Sequence, residues 1–100
     1  MQHRLRYQRQ NMDEQHGYEW LGDAGNTLAP TLHEPDRRRF HRQNGDQVLN
    51  MINYLMEVTD RSSVNYGTYA EKLIGDQLPL GITSELSVFR WLLAHATMAN

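Results

Sequence analysis

Apolar side chains are unevenly placed along the chain: residues 1–45 hold 12 of them and residues 46–100 hold 27. A core must therefore be built from the C-terminal half, and the repeat there is helical. Phe40, Val48, Leu49, Ile52, Leu55 and Met56 recur at helical spacing, and Pro35 suits a first helical turn. Residues 36–58 read in one of two ways. They form one continuous helix, or a helix broken at Asn44-Gly45-Asp46, with Asp46 capping a second segment that runs to about Thr59.

Beyond the loop composition of residues 59–63, Tyr66, Tyr69, Ala70, Leu73 and Ile74 mark one face of a short helix that Gly75 is expected to stop. Residues 77–81 contain Pro79 and read as a connection, after which Thr83 or Ser84 can cap a last helix reaching about Met98. Eight of the eleven residues from Leu86 to Ala96 are apolar, and a helix apolar nearly all round has to be covered on more than one side. The spacing predicts Leu86, Phe89, Leu93 and Ala96 in the chain's own core. It predicts Val88, Trp91, Leu92 and His95 on a self-association face. The competing arrangement folds Trp20 and Leu21 over that face and leaves a monomer.

Residues 1–17 are dominated by Gln, Arg, Asn, Asp and His, with only Leu5, Tyr7 and Met12 able to bury anything after Met1, and read as a flexible polar arm. Residues 18–21 form a short apolar patch ahead of the turn residues Gly22, Gly25 and Asn26. The expectation is thus an all-α fold, with three to four helices in a small bundle over residues 18–100 and an arm over residues 1–17. A chain of 100 residues buries a modest share of its surface, so association would help it, and a homodimer is expected.

Charge excludes more than it suggests. Residues 1–44 carry seven arginines against six acids, and residues 45–100 three bases against six acids, within a formal net charge of −2. Neither half has the strong basic excess of a nucleic-acid-binding domain. No cysteine is present, which removes disulfides and thiolate zinc sites. The first sixteen residues hold no apolar signal-peptide run, and no stretch approaches about 18 apolar residues, so a soluble cytoplasmic protein is expected. His3, His16, His33, His41 and His95 include no pair three or four apart, the spacing that puts two imidazoles on one helical face. His33-Glu34 lacks the second histidine of a zincin, and no nucleophile elbow or phosphate-cradling loop occurs. The reading is of a non-enzymatic protein with no catalytic residue, cofactor or metal.

Two sets of side chains remain as candidate contacts. Arg37, Arg38, Arg39 and Arg42 form the one dense charge cluster, suited to phosphate or to an acidic partner surface, and carry the alternative reading of a nucleic-acid-binding regulator. A helix-turn-helix is disfavoured, because the connection from Gly75 to Gly81 is too long and the last helix offers only Arg90 as a base. Trp20, Tyr66 and Tyr69 are residue types that dominate protein interfaces and are assigned to partner binding.

The order of these features over residues 18–97 resembles the AriR and YcgZ type of small helical connector proteins of enteric bacteria. The likeness rests on Tyr18 before Gly25, Asn26 and Leu28, on the apolar helix from Val48 to Met56, on Asp60, Val64 and Asn65 entering a second helix, and on the closing apolar helix. The chain departs from that pattern by its arginine-rich insertion over residues 35–44 and its N-terminal arm. The resemblance implies a helical dimer tied to biofilm control that acts on a transcriptional regulator without chemistry of its own. An antiactivator capping a quorum-sensing receptor would behave in the same way.

Overall fold

The computed structural model describes residues 7, 11, 17–19, 34–61 and 63–96. Among these residues the fold is a small all-α bundle of three helices, α1 (Gly45–Thr59), α2 (Val64–Lys72) and α3 (Glu85–Ala96), with no strand longer than an isolated bridge. Each helix begins where a short polar side chain supplies an acceptor for the open first turn. The Asn44 side chain accepts from the Gln47 N–H at 3.1 Å, and the Ser63 and Ser84 hydroxyls accept from the N–H groups of Tyr66 and Ser87 at 3.1 and 3.2 Å. The cap of α1 is thus Asn44. Asp46, expected to fill that role, lies within the first turn, where its charge suits the helix dipole.

Helix α1 ends at Asp60, whose left-handed backbone (φ 56°) turns its own N–H and that of Arg61 back onto the Glu57 and Met56 carbonyls. The expected stop at Gly75 does not occur. From α2 the chain widens into a π-helical turn, Leu73–Gln77, closed by the Leu78 N–H on the Leu73 carbonyl at 2.8 Å. The wider turn carries the helix through Gly75 and buries Leu73, Ile74 and Leu78 together; Pro79 lies just beyond the turn.

Helix α1 packs against both α2 and α3. Val48, Ile52, Leu55 and Met56 of α1 are fully buried, facing Ala70 and Ile74 from the second element and Val88, Leu92 and Ala96 from α3. Each of these valine, leucine, isoleucine and methionine side chains contributes about 1.5–3 kcal/mol through removal from water, and the alanines less. The buried stripe of α3 is Glu85, Val88, Leu92 and Ala96, so its rotation differs from the expected one. Val88 and Leu92 belong to the chain's own core at 0% exposure, while Leu86, Phe89 and Leu93 are half-buried. Glu85, a charged residue, heads that buried stripe.

Residues 36–43 form no helix, so neither expected reading of residues 36–58 holds as stated: α1 is one helix that begins only at Gly45. The Asp36 and Arg38 carbonyls accept the Leu86 and Glu85 N–H groups, both at 2.9 Å, and the Phe40 N–H donates to the Thr83 carbonyl at 2.7 Å. The segment is an extended strap that satisfies the open N-terminus of α3. Buried Pro35 opens this strap, and buried Phe40 pins it to the core. Tyr7, expected in a free arm, is also fully buried.

Candidate interaction site

Tyr7 sits in a socket built by α1 and α2, and each wall of the socket reads a different part of the residue. Asn53 of α1 faces its main chain: the side-chain oxygen accepts the Tyr7 N–H at 2.8 Å, and the side-chain nitrogen donates to the Tyr7 carbonyl at 2.8 Å. A single side-chain amide thus takes both the N–H and the C=O of Tyr7. A further bond from the Asn53 amide to the Leu49 carbonyl at 3.0 Å fixes the amide in place on its own helix. Asn53 is 3% exposed, and these three bonds offset the burial of its polar group.

The ring of Tyr7 lies flat on Gly67, where an added Cβ would overlap its Cγ, Cδ1 and Cε1 atoms. A glycine within α2 lowers helix propensity by about 0.8–1 kcal/mol relative to alanine, and here it leaves room for the ring. The hydroxyl reaches the far wall, where it donates to Glu71 Oε1 at 2.9 Å and lies 3.2 Å from Thr68 Oγ1 and 3.1 Å from the Asn11 carbonyl oxygen. The second oxygen of Glu71 accepts the Tyr18 hydroxyl at 2.8 Å. Glu71 is 2% exposed, and two phenolic donors share its carboxylate. Neighbouring Glu19 is tied down by its main chain, with the Gly45 N–H on its carbonyl at 2.7 Å and its N–H on the Gln43 carbonyl at 2.6 Å.

The arginine cluster is divided by the strap. Arg38 pairs with Asp36 at 2.9 Å and approaches Glu85 at 3.6 Å; the Asp36 hydrogen bond, then the charges of Asp36 and Glu85, raise its pKa. Arg42 donates to the Leu78 carbonyl at 2.6 Å and to the Pro79 carbonyl, closing the end of the π-helical turn. Arg37 and Arg39 are exposed. Arg39 and His41 border an open groove of 590 Å³ that also touches Gln43, Leu80 and Thr83. Buried Glu85 holds the whole segment: it accepts from the Asp36 N–H at 3.3 Å and from the Gln47 amide at 2.9 Å, and the Gln47 amide in turn bonds the Arg39 carbonyl and the His41 N–H.

The expected self-association face is split likewise. Val88 and Leu92 are core, as above. Half-buried Trp91 stacks on exposed His95, with ring centroids 4.2 Å apart, and His95 Nδ1 lies 2.8 Å from the Trp91 carbonyl oxygen. Of the residues assigned to partner binding, Tyr66 is 8% exposed and faces inward, Tyr69 is half-buried, and Trp20 lies outside the described residues. The same holds for His3, His16 and His33. Among the described residues no group of histidine or carboxylate side chains is placed to hold a metal ion, and no helix is long and apolar enough to cross a membrane.

The socket was not legible in the sequence. Gly67 and Glu71 lie one helical turn apart, but no spacing links them to positions 7 and 53. The one available signal was Gly67 inside a helix, a residue whose presence asks for a close approach. Comparison with protein-family models, with curated proteins and with solved structures finds no match.

Proposed function

We propose that the chain is a small non-enzymatic protein–protein interaction module that modulates or sequesters a bacterial transcriptional regulator in the cytoplasm, as an antiactivator or connector, and that it pairs with itself. One observation carries this reading. The helical domain holds a remote residue of polypeptide through main chain, ring and hydroxyl together, with Asn53, Gly67 and Glu71 each serving one of them. Such a device suits protein segments. The order of features that resembles the AriR and YcgZ type of connectors points in the same direction. Two of the four clustered arginines, Arg38 and Arg42, are committed to contacts within the fold, which leaves a nucleic-acid surface short of cations.

The test is a bacterial two-hybrid screen of the full chain against transcriptional regulators, followed by DNA-binding assays of each regulator with and without the chain. The expected result is a regulator that pairs with the chain and loses its DNA-binding or activating capacity. The contrary result is DNA binding by the chain alone that fades steeply with salt and disappears when Arg37 and Arg39 are changed to Ala.

A further inference from the structure

The chemistry of the Tyr7 socket is general to a kind of ligand and not peculiar to this arm. Asn53 reads a main-chain N–H and C=O that every non-proline residue owns, Gly67 admits a flat ring, and Glu71 requires a donor at the far end of that ring. Together they select tyrosine. The charge of the two sides selects further: residues 1–11 carry Arg4, Arg6 and Arg9 and no acid, whereas residues 12–100 carry seven basic and twelve acidic side chains. A basic segment is drawn to the remainder of the chain.

We infer that the socket formed by Asn53, Gly67, Thr68 and Glu71 is a docking site for a tyrosine in a basic segment of a partner protein, and that Tyr7 occupies it in cis as a competitor. This rests on the reading of the chain as an interaction module and names the ligand of that module. The cis arm raises the threshold for binding, because a partner has to displace a residue already held at high effective concentration. Displacement also frees the hydroxyl of Tyr7 from Glu71, so partner binding and release of the arm are one event.

The experiment uses a fluorescent peptide with the sequence of residues 1–12 and the full-length chain, read by anisotropy. The Tyr7→Ala chain should bind the peptide saturably, and the wild-type chain at least tenfold more weakly, a difference that reports displacement of the cis arm. A peptide with Ala in place of the tyrosine should not bind, and neither should the doubly changed Tyr7→Ala, Gly67→Ala chain. The Tyr7→Phe chain keeps the ring in the core and loses only the hydroxyl contacts, so it should bind the unaltered peptide about tenfold more tightly than wild type does. This arm keeps the test valid if Tyr7→Ala fails to fold.

Absence of peptide binding to both chains, or equal binding of the Ala-substituted peptide, would overturn the assignment. A wild-type dimer that dissolves on Tyr7→Ala would also overturn it, since the arm of a second copy would then be the occupant. The two-hybrid screen is independent of Tyr7. A regulator found there with no peptide binding here would remove the socket and keep the module.

Discussion

Two non-helical pieces of chain lie on the bundle, and they are held in opposite ways. The strap over residues 36–42 is joined to α3 by a series of main-chain hydrogen bonds and clasped by buried Glu85, so it is part of the end of a helix. Tyr7 is held through the side chains of Asn53 and Glu71. Removing the strap would open the N-terminus of α3 and expose Phe40. Removing Tyr7 leaves every helix with its own hydrogen bonds and opens a socket to water. The comparison teaches that two arginines of the conspicuous cluster, Arg38 and Arg42, serve the architecture, while the proposed recognition rests on the inconspicuous tyrosine.

The largest effect is expected where strap and bundle meet the core. Leu92→Asp places a charge at a fully buried position and should abolish the helical circular dichroism signal, since the loss exceeds about 4 kcal/mol in a domain of this size. Trp91→Ala, one residue away and half-buried, should leave that signal largely intact. If Leu92→Asp gave a folded chain, the rotation of α3 described above would be wrong.

Next in size is the clasp. Glu85→Ala deprives the Gln47 amide and the Asp36 N–H of their acceptor and should cost about 2–3 kcal/mol in urea denaturation, with the exposed Arg38 contact adding little. Tyr7→Ala should cost less, because the loss is limited to the free energy of docking an arm, at most about 3 kcal/mol, and the vacated socket fills with water. Gly67→Ala sharpens the contrast, since it expels the ring while improving helix propensity by about 1 kcal/mol. Its net stability change should be smaller than that of Tyr7→Ala although both undock the arm. The smallest effect is expected at Tyr66, whose buried hydroxyl has no hydrogen-bond partner among the described residues. Tyr66→Phe should be neutral or stabilising by up to about 1 kcal/mol, read from the midpoint of the same denaturation.

Helix positions were legible because they depend on local signals: the apolar repeat of α1, the loop composition of residues 59–63 ahead of α2, and the cap offered by Thr83 or Ser84, which Ser84 fills. The failures share one physical cause. Pro35 and the arginines look like a first helical turn, but residues 36–42 are claimed by the N–H groups of Glu85 and Leu86, which are distant in sequence. The rotation of α3 was hidden because eight apolar residues in eleven leave little preference for one face. The buried face includes Glu85, which hydrophobicity would place outside. The same holds for Tyr7, an apolar residue in a polar arm whose burial depends on a glycine and two polar side chains far along the chain.

The most direct test of the socket is the proton resonance position of Gly67 in the full-length chain. A tyrosine ring stacked on Gly67 should shift its Hα protons upfield by ring current and give nuclear Overhauser contacts from Hα to the Tyr7 ring, both lost in Tyr7→Ala. Gly67 Hα shifts that are ordinary for a helix and identical in the two chains would show that Tyr7 does not dock, and would contradict the account.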